Sequence, residues 1–166
     1  QDKYSIAKDQ KTFSIADGTT QGYNSGLFAQ LLTDQFLKRN SIKSKDFFDL
    51  CVNVAKNFNK KSAVDDKVSK AVKKLIEDKK KQGGSCTFFG ANINNNEIES
   101  LCYGDSMLFH IRNESILNTF PFKTSEELDN ESSFINSNID FDKQLLNAKK
   151  LSSYKSKIEK GDIIIL

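Results

Sequence analysis

Apolar and polar residues alternate in two short stretches at the amino end, Tyr4 with Ile6 and Phe13 with Ile15, which predicts strands over residues 3–8 and 12–16. A hairpin centred between Asp9 and Gln10 sets opposite residues to a sum of 19, so that Ile6 faces Phe13 and Tyr4 faces Ile15. Asp2 then faces Asp17. The pattern next changes to a period near 3.6. One helix is expected from about Asn24 to Arg39, with Phe28, Leu31, Leu32 and Phe36 on one face. A second carries Phe47, Leu50, Cys51, Val54 and Phe58, with Ser44 as its expected cap. A third starts near a Ser62-x-x-Asp65 capping signal and carries Val68, Ala71, Val72, Leu75 and Ile76.

After Gln82-Gly83-Gly84 the period returns to two. SCTFFGANI, an Asn94-Asn95-Asn96 turn, EIESLCY, a Gly104-Asp105 turn and SMLFHIRN read as an antiparallel meander. Residues 124–138, rich in Ser, Asn, Glu and Asp, read as a surface loop, residues 142–151 as a short helix, and IIIL after Gly161-Asp162 as a last strand. Strands, then helices, then strands make an α+β domain rather than a doubly wound parallel sheet. A terminal IIIL edge would be sticky if unpaired, so the polypeptide is expected to continue.

Composition adjusts this picture little. A chain of 166 residues suits one domain, and at that length roughly 70% of the unfolded surface is buried on folding. No apolar run approaches the roughly 20 residues of a membrane helix, and no signal-peptide layout opens the chain. The formal charge of +3 comes from lysine, with arginine only at Arg39 and Arg112. Lysines gather at residues 73–81 and 147–150, but acids are interleaved and no aromatic platform accompanies them, so these runs read as solvated helix faces and not as a nucleic-acid surface. Cys51, Cys86 and Cys102 form no Cys-x-x-Cys pair and are odd in number, which fits a reducing, cytoplasmic setting. Cys51 and Cys102 fall on apolar stripes and read as small buried hydrophobes.

The chemistry concentrates in carboxylates. Cβ atoms of directly opposed residues lie roughly 4.5–5.5 Å apart, and like charges there destabilise a sheet. A divalent cation between Asp2 and Asp17 reverses that sign, with the Gly18 carbonyl as a further hard ligand. Equally, Asp17 suits a turn and Asp2 a solvated strand end. Asp105 and Asp162 both follow glycine, as ordinary turn aspartates do. His110, the single histidine, lies in the strand MLFHI with no partner nearby in sequence and reads as a satisfied sheet histidine. No nucleophile elbow, Walker loop or dinucleotide fingerprint is present.

The order QDKY, FSIADGTTQG, GGSCTFFG, CYGDSMLF with HIRN, and KGDIIIL resembles the type 2C protein phosphatases, the metal-dependent serine/threonine phosphatases, and most of all their bacterial-style members. The resemblance covers nearly the whole chain. It implies a four-layer α-β-β-α sandwich of two antiparallel sheets flanked by helices. It also implies two Mg²⁺ or Mn²⁺ ions, with a third, weaker site in some members, and hydrolysis of phosphoserine or phosphothreonine in a phosphorylated protein by a water bridging the metals. Asp17 matches the aspartate bridging both ions, Gly18 the carbonyl ligand and Asp2 the aspartate supporting the first metal through water. Asp105 matches the aspartate of the third site, and Thr87 lies in the strand beneath, in a structural role. No nucleic-acid or membrane partner is implied, and the oligomeric state is left open.

The departures are informative. Thr19 stands where many members carry histidine, so no histidine acid is available there and the leaving group would be protonated by metal-bound water. A phosphate-gripping arginine would precede Gln1. The Ala-Thr-Asp-Gly segment that follows the GDIIIL strand in the family, and a later Asp-Asn pair, would follow Leu166. Residues 1–166 are therefore expected to form a single but incomplete phosphatase domain, lacking its opening strand and the carboxyl-terminal ligand segment. The alternative is a catalytically inactive phosphatase-like binding or regulatory module.

Overall fold

A computed structural model describes residues 1–39, 41–62, 69–127, 133–138 and 150–166. Strands β1 (Lys3–Ile6) and β2 (Thr12–Ala16) pair antiparallel with Lys3 opposite Ala16, Tyr4 opposite Ile15 and Ile6 opposite Phe13, the register the sequence predicts. Helices α1 (Ser25–Arg39), α2 (Ser44–Lys61) and α3 (Lys70–Lys80) follow. Then come β3 (Ser85–Cys86), β4 (Phe88–Asn94), β5 (Glu97–Tyr103), β6 (Leu108–Arg112), β7 (Ser115–Phe120), β8 (Ile135–Asn136), β9 (Leu151–Lys157) and β10 (Ile163–Ile165).

The strands form a five-stranded sheet in the order β1-β2-β4-β5-β9, a three-stranded sheet in the order β10-β6-β7, and a small β3-β8 ribbon, all antiparallel. Successive strand residues point to opposite faces, so the large sheet supplies two cores. On one face Phe88 meets Phe36 and Phe47 of the helices at ring-centroid distances of 5.2 and 4.8 Å, with Phe28 and Phe58 5.4 Å apart behind them. On the other face Phe89, Ile98 and Cys102 pack against Leu108 and Phe120 of the small sheet. Each fully buried phenylalanine contributes roughly 1.5–3 kcal/mol of apolar transfer. The architecture is α+β, and helices, large sheet and small sheet make three successive layers of the expected sandwich.

Several expectations are corrected. The predicted meander divides: β4 and β5 pair across Asn95 and Asn96, whose φ values of 48° and 61° suit a tight hairpin turn, but β6 leaves for the other sheet after Gly104. Strands β7 and β9 were not predicted. SILNTF and LSSYKSK lack clean alternation because one face of each meets solvent or a mixed surface. Part of the surface loop of residues 124–138 is instead ordered as β8 against β3. Ser44 is the first residue of α2 rather than its cap, and Lys43 at the cap position makes no side-chain cap bond. The third helix is capped by Ser69, whose side chain accepts from the Val72 amide. Ser62 closes α2, while Asp65 and Val68 lie outside the described residues, as does the predicted helix of residues 142–151 up to its last two positions. Tyr4 and Ile6 are exposed, and it is Ser5, Thr12 and Ser14 that are buried. Short polar side chains let α1 lie close, with Ser5 Oγ donating to Asp34 Oδ1 at 2.7 Å and Ser14 Oγ to the Thr33 carbonyl at 3.2 Å.

Candidate active site

Strand β2 ends at Ala16, and the backbone beyond it is held on both sides. The Thr87 amide donates to the Asp17 carbonyl at 3.0 Å, the Asp17 amide to Thr87 Oγ1 at 3.4 Å, and the Thr19 amide to the Ser85 carbonyl at 2.9 Å. Gly18 forms a bridge with Cys86. Its absent side chain is a packing requirement, because a Cβ there would lie 2.8–3.0 Å from backbone atoms of Ser25 and Gly26. Ser25 Oγ in turn accepts from the Ser85 amide at 3.1 Å, joining the start of α1 to β3. The backbone on either side of the Asp17 carboxylate is thereby fixed while the carboxylate faces a cleft.

Asp2 precedes β1 by one residue and reaches the same cleft, as the register requires. Gln1 is held by its side chain, whose Oε1 accepts from the Gly26 amide at 2.6 Å. Desolvation, followed by hydrogen bonding with and repulsion from Asp2, raises the Asp17 pKa. Asp105 enters through the turn after β5. Gly104, at φ 105°, abuts Thr87, and Thr87 Oγ1 lies 3.4 Å from Ser106 Oγ, so one threonine supports both aspartate-bearing loops.

Asp2, Asp17, Gly18 and Asp105 therefore line one cleft of about 1080 Å³. Among the described residues, however, no three His, Cys, Asp or Glu side chains converge closely enough to hold a metal ion. Lys79 of α3 and Phe134, before β8, also line the cleft. Neither stands out in the sequence. Lys79 is one of many lysines, and Phe134 sits in a polar segment.

The remaining candidates are structural. His110 is fully buried with Nε2 2.8 Å from Asp162 Oδ2. Arg112 donates through Nε to Asp162 Oδ1 and through Nη2 to Oδ2, both at 2.8 Å, and the Glu159 amide donates to Oδ2. Asp162 is thus the partner His110 lacked in sequence, 52 residues away. Arg112 foremost, then the Glu159 amide and His110, hold the Asp162 carboxyl well below the usual carboxylate range. Cys51, Cys86 and Cys102 are buried free thiols, and burial pushes all three up, Cys102 to about 12, so none is a nucleophile at neutral pH.

No family profile and no curated protein matches the sequence. Solved structures do match. The photosystem II phosphatase PBCP superposes with a TM-score of 0.61 at 17% identity, covering 98% of this chain and 56% of that one. The catalytic domain of the serine/threonine phosphatase PstP, in complex with two manganese ions, gives 0.60 at 10% identity, covering 97% and 68%. The Mycobacterium tuberculosis serine/threonine phosphatase PstP/Ppp gives 0.59 at 12%, covering 97% and 69%. The chain thus spans little more than half of PBCP and about two thirds of PstP. With two antiparallel sheets packed face to face, helices on the larger, and these neighbours over nearly its full length, the chain has the fold of the type 2C serine/threonine phosphatases.

Proposed function

We propose that this chain is part of a metal-dependent phosphoprotein phosphatase acting on phosphoserine or phosphothreonine. The observation that carries the proposal is that Asp2, Asp17, Gly18 and Asp105 line one cleft at the end of the first hairpin. The residues present fit part of a divalent-cation site. Asp2 repels Asp17 and helps to raise its pKa, a repulsion that a cation between them would relieve, and Gly18 lines the same cleft. Asp17 and the Gly18 carbonyl would hold Mg²⁺ or Mn²⁺ directly, Asp2 would support it, and Asp105 would serve a further, weaker site. When bound, the ions supply Lewis acidity and an activated water for attack on phosphorus.

This chain's own contribution is positional. Thr87 and the Ser25–Ser85 stitch fix the Asp17 backbone, and Gln1 ties the Asp2 strand end to the start of α1. Thr19 hydrogen-bonds within its own loop, its Oγ1 accepting from the Gly22 amide at 3.3 Å, and offers no imidazole to protonate a leaving alkoxide. The test uses the complete protein with Mn²⁺ and p-nitrophenyl phosphate or a phosphothreonine peptide. Turnover should be present and should fall by about 10²-fold or more in Asp17→Ala. Unchanged turnover in that variant would remove Asp17 from the chemistry.

One observation favours a second reading. Since the described residues contain no three-ligand cluster, a catalytically inactive phosphatase-like binding module remains the competing proposal. Calorimetric titration of Mn²⁺ separates the two, since a complete protein that neither binds Mn²⁺ nor turns over supports the module.

A further inference from the structure

Helix α3 is the most exposed of the three helices among the described residues. None of its residues is buried, yet its sequence KAVKKLIEDKK is amphipathic. Lys73, Ile76 and Lys80 are half-buried and repeat at i, i+3 and i+7, which identifies the side facing the protein body. On that side the Lys80 ammonium lies 5.9 Å from the centre of the Tyr23 ring. Val72, Leu75 and Lys79 form the adjacent rail, also at i, i+3 and i+7. Val72 is 47% exposed and Leu75 65% exposed. The rail runs directly into the cleft, because Lys79, one turn beyond Leu75, lines the same wall as Asp2, Asp17 and Asp105.

Two properties of this rail call for a ligand of particular chemistry. Its cation makes no ion pair among the described residues, and the neighbouring Asp78 is paired with Lys81 at 2.7 Å. The surroundings are basic, with six lysines at positions 70, 73, 74, 79, 80 and 81 against Glu77 and Asp78. Apolar surface at Val72 and Leu75, continuous with the Lys79 ammonium at the mouth of a cleft, complements a polypeptide carrying a phosphate and an apolar residue a short way along. Phe134, 43% exposed on the cleft lining, adds a second apolar contact at that mouth.

We infer that the Val72–Leu75–Lys79 face of α3 is a docking rail for the substrate polypeptide, with Lys79 taking the phosphate's charge at the cleft mouth and Val72 and Leu75 taking an apolar side chain. The inference rests on the phosphatase reading and adds the face on which the substrate polypeptide docks and the side chain it favours. The spacing is set by geometry. Lys79 to Val72 is seven residues, or roughly 10 Å along a helix rising 1.5 Å per residue, which an extended peptide covers in about three residues at roughly 3.3 Å each. The preferred substrate therefore carries a large aliphatic residue about three positions from the phosphorylated one.

The test is fluorescence anisotropy with two labelled phosphothreonine peptides, one bearing leucine three positions to either side and one bearing serine there. Each is titrated with the complete protein and with its Leu75→Asp and Lys79→Ala variants, and Mn²⁺ affinity is measured on all three by calorimetry. Both positions are exposed, so both variants should fold, as circular dichroism would verify. The leucine peptide should bind about tenfold tighter than the serine peptide. Leu75→Asp should erase that difference. Lys79→Ala should weaken both peptides and reduce the salt dependence of binding, and Leu75→Asp, outside the cleft lining, should leave Mn²⁺ affinity unaltered.

If Mn²⁺ binds but the two peptides are indistinguishable, or the variants behave as the parent chain does, the rail is overturned while the phosphatase reading stands. If neither Mn²⁺ nor peptide binds, both fall together. Capture of the chain by phosphatidylserine vesicles, or a dimer in sedimentation, when abolished by Leu75→Asp and accompanied by no peptide preference, would reassign the face and overturn the inference.

Discussion

The hydroxyl of Ser100 is buried between the two sheets with no hydrogen-bond partner among the described residues. An orphaned buried hydroxyl costs about 1–3 kcal/mol in lost solvation, and alanine fills nearly the same space. Ser100→Ala should therefore stabilise the protein by about 1 kcal/mol, seen as a higher urea midpoint at unchanged slope. Gly18 behaves in the opposite sense: Gly18→Ala drives a methyl into the Ser25 backbone and should cost about 1–3 kcal/mol, measured the same way. Asp17 adds a pH dependence. Its folded pKa is raised, so its charged form opposes folding, and the relative stability it allows at acid pH is lost as pH rises through that pKa. Asp17→Asn should flatten that loss in metal-free thermal melts between about pH 3 and 6, and a bound divalent cation should do the same to the parent chain. Asp2, Asp17 and Gly18 were legible because a two-residue period and a hairpin centre suffice to oppose them. Lys79 was not, since which of the eleven residues of α3 faces a cleft depends on how the helix lies on Tyr23.

Among the elements, the strongest signals were those set by local chemistry. The β1–β2 register followed from apolar pairs, and α2 buried Phe47, Leu50, Cys51, Val54 and Phe58 as its period requires. What failed was long-range. Nothing local tells β6 to leave β5 for another sheet, and β9 joins β5 across residues some 50 apart. The clamp that ties β10 to β6 is of this long-range kind: Asp162 is 4% exposed and accepts from Arg112, His110 and the Glu159 amide. Its folded pKa is depressed, so the stability it contributes is present above the ordinary carboxylate pKa of about 3.9 and is lost as pH falls below it. Amide exchange of residues 163–165 should accelerate selectively below about pH 4, measured against the β4–β5 amides as reference. In Asp162→Asn the same amides should exchange fast at neutral pH already. Equal protection of β10 and β4–β5 down to pH 3 would show that the clamp does not hold the strand.

Across the whole molecule, the large sheet is a wall shared by two cores, and adjacent residues of β4 report on each separately. Phe88 faces the helices and Phe89 the small sheet, and both are fully buried. Truncation of either should cost about 3–5 kcal/mol, a large share of the roughly 5–15 kcal/mol that holds a domain together. The consequences should nevertheless differ in place. Phe88→Ala removes the ring between Phe36 and Phe47, loosening α1 and α2 and with them the Ser25 stitch behind Asp17. Phe89→Ala removes the contact with Phe120 and frees β6, β7 and β10 from the wall while leaving the cleft's supports in place. Hydrogen exchange should separate them, with protection lost first in the helices for Phe88→Ala and first in the small sheet for Phe89→Ala. If the site is built on the helix side, as the Thr87, Ser25 and Gln1 contacts require, Mn²⁺ affinity should fall further in Phe88→Ala than in Phe89→Ala at matched stability. The reverse order would move the support of the site to the sheet–sheet core.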